Sequence, residues 1–391
     1  MAPRSSQWAI PLGVSFGVPL SLYIIFLFLG GFSFFQRHFF YAHRINTLFW
    51  HDVDKPEYWG FGRNQVTPFS LASGNETLYA WHILPLKAVL KHEERLQSSP
   101  VGYADSITET ESFKILKNDP DAQLVISFHG NAGHIAQGLR TGHFHTLTDT
   151  SSFHILSIDY RGYGKSTGSP SEAGLIEDGV ALVDWAMNVA GVSPDRIVVM
   201  GQSLGTAVTA AVVEHFISRG IEFAGAVLIA GFSNVPTLLS SYRGAGFIPV
   251  LSPLRPIPPL LRLFQGFVVD KWESASRLAE VVRLTQRRLR LTLIHARDDW
   301  DIPCHESDTL FQYAAKATMS QALDDGEFLS WKKQRSTRFD DGTFISIVTA
   351  EPDITIRQEL IPYGGHNGVM LSSAVPLAVM RAFSAEVDSL I

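Results

Sequence analysis

The 391-residue sequence contains a single cysteine, Cys304, so no disulfide can form within the chain. Cysteine clusters of the kind that hold zinc or iron–sulfur centres are excluded for the same reason. An excess of positive charge is also lacking, since 32 Lys and Arg stand against 38 Asp and Glu, for a net charge of −6. Nucleic acid, whose phosphates bind basic surfaces, is therefore not an expected partner.

Charge is absent from one long stretch near the amino terminus. Residues 10–35 read IPLGVSFGVPLSLYIIFLFLGGFSFF, and a helix of about 20 apolar residues spans the hydrocarbon core of a bilayer. The alternatives are a buried core helix and a signal peptide, but the stretch exceeds a signal peptide's apolar region and lacks a clean A-x-A site. The sequence predicts a membrane anchor over 1–40, with its compact part at 20–35 because prolines interrupt the first half, and a juxtamembrane segment over 41–64.

The orientation of this anchor is left open by the flanking charges. Arg4 precedes the span, whereas Arg37 and Arg44 follow it, so the distribution of basic residues favours neither side. The triplet Asn75-Glu76-Thr77 is an N-glycosylation acceptor, which suits a domain on the lumenal side.

Short apolar runs rich in branched residues recur along the rest of the chain, at residues 124–128, 155–158, 197–200, 226–229 and 291–294. Helical patterns separate several of them, which indicates a mainly parallel sheet covered by helices on both faces. Two segments interrupt the alternation. The polar residues of 87–118 predict an exposed insertion, and the apolar, proline-rich residues of 237–272 are predicted to form a lid.

Two glycine-rich loops compete for a functional role. The first, DYRGYGKSTGSP, ends like a phosphate-binding loop, but that motif needs glycine where Asp159 stands. Its formal G-x-S-x-G is centred on Ser166, several residues beyond the strand, so Ser166 is predicted to be structural. The second loop, GQSLG, follows the strand RIVVM directly and leads into the helical run TAVTAAVVEHF. A strand that turns sharply into a helix exposes the residue at the turn, so Ser203 is the predicted nucleophile.

A serine hydroxyl needs a base, and the base needs an orienting acid. His366 lies in a loop, PYGGHNGV, after the last strand-like run, and is the predicted base. For the acid, LTLIHARDDWDIP offers Asp298, Asp299 and Asp301 just past a strand, and the residues alone leave these three open.

An oxyanion requires two hydrogen-bond donors. The backbone amide of Leu204, directly after the nucleophile, is one candidate, and the amide of Asn131 in the loop HGNAG is the other. A separate group of histidines lacks the regular spacing of metal ligands, so no metal is expected from it: His134, His143, His145 and His154.

Taken together, these motifs resemble the α/β-hydrolase superfamily. The strings FHGNAG, DYRGYGKSTGSPSEAGL, VVMGQSLG, HARDDWDIP and PYGGHNG are similar to those of its membrane-anchored monoacylglycerol and lysophosphatidylserine lipases. The resemblance runs from about residue 65 to the end and implies an α/β-hydrolase catalytic domain over 65–391. It places the acid at Asp299, with Ala296 where the family has glycine, and departs from the family at insertions near 87–118 and 317–350.

The resemblance further implies a single-pass protein of the endoplasmic reticulum with a lumenal catalytic domain. The predicted reaction uses Ser203 as nucleophile, His366 as proton carrier and Asp299 as orienting acid, with no cofactor or metal. The expected partners are the bilayer and a lipid ester, such as a monoacylglycerol or lysophospholipid. Two alternatives remain open: a protein depalmitoylase that cleaves thioesters, and a non-catalytic lipid-binding or scaffold protein of the same fold.

Overall fold

The computed structural model describes residues 9–244, 248–339, 342–349 and 351–384, with the backbone alone at 9–16 and at 248. Within these ranges, ten strands form one sheet in the order β1-β2-β4-β3-β5-β6-β9-β12-β11-β10. Their bounds are β1 Val66–Ser73, β2 Glu76–Ile83, β3 Gln123–Phe128, β4 Phe153–Ile158, β5 Ile197–Gln202, β6 Gly225–Ile229, β9 Arg288–Ala296, β10 Thr337–Arg338, β11 Thr343–Val348 and β12 Asp353–Ile361. A separate short hairpin pairs β7 Arg243–Gly244 with β8 Ile248–Pro249.

The central part of this sheet is parallel. The six neighbouring strands from β4 to β12 in the sheet order run in the same direction, whereas β1, β2, β11 and β10 pair antiparallel at the two edges. All five apolar runs that predicted strands lie in β3, β4, β5, β6 and β9. The prediction of a mainly parallel sheet is confirmed, because continuous apolar runs suit strands that are buried on both faces.

Helices cover both faces. Their bounds are α1 Ala9–Gly30, α2 Ser33–Tyr41, α3 Leu86–Lys91, α4 Glu93–Ser98, α5 Glu111–Asn118, α6 Arg140–Thr148, α7 Glu172–Asn188, α8 Leu204–Ile217, α9 Val235–Leu238, α10 Pro258–Gly266, α11 Ser274–Leu284, α12 His305–Lys316, α13 Asp325–Arg335, α14 Gly365–Gly368 and α15 Ala374–Phe383. One core contains side chains of α7, α8, α11 and α12, and a second contains side chains of α6 and α15. The sheet therefore separates two apolar cores, and its strand ends lie between the helix layers.

The amino-terminal apolar stretch folds as two helices, α1 and α2, that meet at an angle of 108°. The predicted compact span over 20–35 is wrong, because α1 ends at Gly30 and Phe32 is extended, with φ −104° and ψ 130°. Consecutive glycines at 30 and 31 weaken the helix at this point. Among the described residues, no single helix is long and apolar enough to cross a membrane. The bent pair Gly17–Gly30 and Ser33–Tyr41, taken together, has the length and apolar composition of a membrane span.

The same helix pair packs against residues 237–272, here called the 237–272 segment. Leu27 of α1 is buried together with Val250, Leu251 and Leu254 of that segment. The Tyr23 hydroxyl donates a hydrogen bond to the Val250 carbonyl at 2.9 Å. The apolar segment thus lies against the apolar helices near the amino terminus.

Both predicted insertions contribute structure. Residues 87–118 form most of α3 and the whole of α4 and α5. The prediction of an exposed insertion holds for Leu90, Val101 and Tyr103 but is wrong for the buried side chains of Leu96, Ile107, Phe113, Ile115 and Leu116. Phe113 and Leu116 are buried in the main core, because they lie three residues apart on one face of α5. Residues 317–350 supply α13 and strands β10 and β11, which extend the sheet beyond β12.

Candidate active site

Ser203 lies at the junction of β5 and α8, at the carboxyl edge of the parallel strands. Its backbone has φ 54° and ψ −120°, a left-handed conformation that costs a non-glycine residue about 1–3 kcal/mol. Its amide donates to the carbonyl of Ile229 on the neighbouring strand at 2.9 Å, which fixes the turn to the sheet. The predicted sharp turn from strand to helix is therefore present at this serine.

The glycines on either side of Ser203 have a steric role in the sharp turn. A Cβ atom at Gly201 would overlap the carbonyl group of Gly205, and one at Gly205 would overlap the carbonyl oxygen of Phe128. Both obstacles are backbone atoms, which cannot rotate away as a side chain does. The lack of a side chain at Gly201 allows β5 to approach α8 closely, and the lack of one at Gly205 allows α8 to approach the end of β3.

Three of the predicted residues form a hydrogen-bonded chain. The Oγ of Ser203 lies 2.9 Å from Nε2 of His366, and Nδ1 of His366 lies 2.8 Å from Oδ2 of Asp299. An ionised carboxylate can only accept, so the imidazole proton is on Nδ1. Nε2 is then free to accept the proton of the serine hydroxyl.

The side chain of Asp299 is fully buried, and both oxygens of its carboxylate have hydrogen-bond partners. Its Oδ1 accepts the backbone amides of Asp301 and Ile302, each at 2.9 Å. Its Oδ2 is also 3.2 Å from Nε2 of a second imidazole, that of His295. Burial by itself raises the pKa of Asp299, but the hydrogen bonds from His295 and His366 outweigh it and hold the pKa well below its usual range. The carboxylate is therefore ionised.

Asp298, one of the two rival aspartates, has a different task. Its Oδ1 accepts the amide of Gly365 at 2.7 Å, and Gly364 beside it adopts φ 140°, a conformation that favours glycine. Gln202 donates from Nε2 to the carbonyl of His366 at 3.0 Å. His366 was predicted in a loop but lies in the short helix α14, and together these contacts fix the start of that helix.

The two predicted oxyanion donors belong to two segments that adjoin the serine. Leu204 is the first residue of α8, so its amide has no acceptor inside the helix. Asn131 follows Gly130, where a Cβ would come within 2.8 Å of Cβ of Ser203. The loop that carries Asn131 thus passes directly over the serine.

Sequence reasoning missed Arg140, whose side chain forms hydrogen bonds to backbone carbonyls of the loop that carries Asn131. Its buried guanidinium donates to the carbonyls of Gly130 at 2.5 Å and Ala132 at 2.7 Å, and also to that of His134. Burial, the largest effect, lowers the pKa of Arg140 to about 10. A charged residue in a helical pattern normally predicts a solvent-exposed position, so nothing in the neighbouring sequence indicated that Arg140 is buried.

Comparison with known proteins places this geometry in a family. A model described as "Alpha/beta hydrolase family" matches residues 125–379. The chain belongs to the alpha/beta hydrolase family. It is 29% identical over 199 residues to the human protein ABHD12B, covering 50% of each chain. It is 26% identical over 290 residues to the lysophosphatidylserine lipase ABHD12 of Xenopus tropicalis, covering 72% of this chain and 66% of that relative.

The hydrolase therefore spans between half and two thirds of the length of these relatives. Among solved structures, the Pyrococcus furiosus esterase Pf2001 is 14% identical and has a TM-score of 0.48, covering 84% of this chain and 96% of that one. A likeness at this level supports no further conclusion.

The first glycine-rich loop of the hydrolase supports the site without supplying a nucleophile. Ser166 donates to the carbonyl of Asp159 at 2.6 Å and accepts the amide of Tyr79 on β2 at 2.9 Å, which agrees with a structural role. The Tyr163 hydroxyl lies 2.5 Å from Oδ1 of Asn131. The loop thus braces the residue that is predicted to bind the oxyanion.

Asp159 in that loop is a buried carboxyl group. Its Oδ1 accepts the amide of Ile135 at 2.5 Å. Burial raises the pKa of Asp159 to about 7, against the lowering effects of the Ile135 hydrogen bond and the Arg140 charge. The group therefore titrates far above an ordinary aspartate.

The histidines that were considered as metal ligands each bind elsewhere. His134 contacts Thr47 at 2.9 Å, His143 contacts the Met370 carbonyl at 3.1 Å, His145 contacts the Trp59 carbonyl at 2.9 Å, and His154 contacts His82 at 3.2 Å. A different group, Asp299, Asp301 and His366, has ligand atoms within 4.8 Å of one another. Since Asp299 and His366 already bond to each other, a metal there would have to replace that hydrogen bond.

Proposed function

We propose that the protein is a membrane-anchored serine hydrolase that cleaves the acyl ester of a single-chain lipid, either a monoacylglycerol or a lysophospholipid. The observation that carries the proposal is the chain of two hydrogen bonds, 2.9 and 2.8 Å long, from Ser203 through His366 to Asp299. Membership of the alpha/beta hydrolase family supports ester hydrolysis as the reaction.

In the proposed reaction, Oγ of Ser203 attacks the ester carbonyl carbon while Nε2 of His366 takes the hydroxyl proton. The amides of Leu204 and Asn131 stabilise the negative carbonyl oxygen of the tetrahedral intermediate. His366 then donates the proton to the departing alcohol oxygen, and an acyl-enzyme remains. Water, deprotonated by the same imidazole, releases the acid and restores the serine. Asp299 stays ionised and stabilises the imidazolium throughout.

The lipid substrate is supported by the relatives and by the amino-terminal helices. The Xenopus tropicalis relative is named a lysophosphatidylserine lipase, and the bent helix pair suits contact with a membrane by length and composition. An anchor of this kind would hold the site beside the bilayer, where single-chain lipids are concentrated.

We propose in addition that the catalytic domain is lumenal in the endoplasmic reticulum. Asn75, the predicted glycan acceptor, is exposed in the turn between β1 and β2, where an enzyme could reach it. In cells, the wild-type chain is expected to carry one glycan that glycosidase removes, and Asn75→Gln is expected to abolish that shift. A chain that is never glycosylated, together with protease access from the cytosol, would contradict lumenal placement.

Labelling with a fluorophosphonate probe tests the reaction. The probe is expected to label the full chain, and Ser203→Ala is expected to remove the label. Ser166→Ala, at the rival serine, is the matched control and is expected to keep it. Substrate panels of monoacylglycerols, lysophospholipids and acyl thioesters then test the substrate. Inactivity on both lipid classes would refute the lipase assignment, and activity on thioesters alone would favour a depalmitoylase.

A further inference from the structure

An apolar cavity lies between the amino-terminal helix pair and the 237–272 segment, with a volume of about 150 Å³. Aromatic and aliphatic side chains from both sides make up most of its wall. Those used below are Phe26, Leu27, Phe35, Leu239, Val250 and Phe264.

Hydrogen bonds hold the two sides of the cavity together. Gln36 of α2 donates from Nε2 to the carbonyl of Phe267 at 2.7 Å and accepts the amide of Val269 with Oε1 at 3.0 Å. The Tyr41 hydroxyl donates to Oδ2 of Asp270 at 2.7 Å. The cavity is therefore bounded by contacts that fix α2 to the 237–272 segment, and it is part of the folded domain.

The wall of the cavity touches the candidate active site. Phe40 and Tyr41, at the end of α2, line the cavity. The carbonyl of Phe40 accepts a hydrogen bond from Nδ2 of Asn131 at 2.7 Å, and the carbonyl of Tyr41 lies 2.9 Å from the Tyr163 hydroxyl. Phe40, a residue of the cavity wall, is thus bonded to Asn131, whose backbone amide is proposed to bind the oxyanion.

We propose that this cavity is the binding site for the acyl chain of the ester, and that α1 and α2 form one of its walls. The proposal rests on the hydrolase function proposed above. A long hydrocarbon chain matches the lining because it has no polar atoms that would lose hydrogen bonds on entry. The lining contains two charged side chains, Arg37 and Asp270, and Asp270 is already bonded to Tyr41, so Asp270 makes no demand for a polar ligand. The helices predicted as an anchor would therefore also select the substrate.

Gly30 gives a direct test, because it lines the cavity and an added Cβ there would meet no atom within 4 Å. Gly30→Phe in the full chain places a ring in the cavity. Each buried methylene contributes about fourfold to binding, so the ratio of kcat/KM for nitrophenyl palmitate to that for nitrophenyl acetate is expected to fall at least tenfold. Gly30→Leu, with its smaller side chain, is expected to cause a smaller fall.

Gly266 provides the matched control. It ends α10, an added Cβ there would also meet nothing within 4 Å, and it is not among the residues that line the cavity. Gly266→Phe is expected to leave the palmitate-to-acetate ratio within about twofold of wild type. An unchanged ratio in Gly30→Phe, or an equal fall in Gly266→Phe, would overturn the proposal.

Binding without turnover gives a second measurement. In the full chain with Ser203→Ala, a fluorescent polyene fatty acid is expected to bind saturably, and adding Gly30→Phe is expected to weaken binding at least tenfold. Equal binding with and without Gly30→Phe would overturn the site. Acetate hydrolysis that survives Ser203→Ala would instead refute the proposed function, so the two failures are distinguishable.

Discussion

Replacing Asp299 by asparagine tests the proposed catalytic chain most sharply, because the structure fixes how the new amide must lie. The carboxylate Oδ1 accepts two backbone amides, from Asp301 and Ile302, at 2.9 Å each. An asparagine must keep its carbonyl oxygen there, since an NH2 group would face two other donors. The NH2 group then occupies the position of Oδ2, which is 2.8 Å from Nδ1 of His366.

That arrangement forces the wrong tautomer on the imidazole. An NH2 group can only donate, so Nδ1 of His366 must accept and the ring proton moves to Nε2, opposite Ser203. The base can then no longer take the serine proton. A trapped tautomer of this kind lowers kcat about 10⁴-fold, which corresponds to about 5 kcal/mol of activation free energy.

The assay is kcat for nitrophenyl acetate with the purified full chain, alongside fluorophosphonate labelling and a thermal melt to verify folding. Asp298→Asn is the matched control, because its amide oxygen can still accept the Gly365 amide that Oδ1 of Asp298 accepts at 2.7 Å, and only the long 3.4 Å contact of Oδ2 with the Gly364 amide is lost. We expect less than a tenfold loss for that variant. A folded Asp299→Asn variant with less than a tenfold loss would refute the reasoning, and an equal loss in both variants would leave the acid unassigned.

Two further predictions concern the groups that brace the site. Tyr163→Phe removes the hydroxyl that contacts Asn131 and Tyr41, so we expect the free energy of unfolding, measured in urea, to fall by about 1–3 kcal/mol. We also expect a lower kcat with little change in KM, and a change in KM alone would contradict a role of Tyr163 in placing Asn131. For Asp159, whose pKa burial raises to about 7, the folded state binds more protons than the unfolded chain between about pH 4 and pH 7. Its contribution to stability therefore falls as pH rises through that window, and Asp159→Asn is expected to gain stability relative to wild type over the same window. Urea unfolding from pH 4 to pH 8 measures the difference, and a constant difference would contradict the assignment.

The residues alone were enough to predict the sheet, Ser203 and His366, because their signals are local. Strand β5 is a continuous apolar run, and the close approach of α8 demands glycine at 201 and 205, so the turn at Ser203 is marked by residues within a few positions of it. Resemblance chose Asp299 over its neighbours, and the structure gives the physical difference: Asp299 points to an imidazole, whereas Asp298 binds the amide of Gly365. These roles remain proposals until the variants are measured.

What sequence reasoning missed depends on contacts between distant parts of the chain. Arg140 is buried because three loop carbonyls surround its guanidinium, and no pattern along α6 records those carbonyls. His295 lies beside Asp299, but its position at the end of a strand is equally typical of a packed core residue. In residues 87–118, abundant charge concealed the apolar face of α5, which carries Phe113 and Leu116 into the core. In each case the deciding partner is far away in sequence or is a backbone atom.

The loop that carries Asn131 connects these observations to the amino-terminal helices. Arg140 of α6 donates a hydrogen bond to the Gly130 carbonyl of this loop, and the Tyr163 hydroxyl of the first glycine-rich loop contacts the side chain of Asn131. The Asn131 side chain in turn donates to the carbonyl of Phe40 in α2. Removing residues 1–40 to obtain a chain free of the anchor would therefore also remove the acceptor of the Asn131 side chain and one wall of the cavity. If such a truncated chain loses activity, the loss does not show that activity needs a bilayer. Point substitutions in the full chain are needed to separate membrane attachment from the shape of the site.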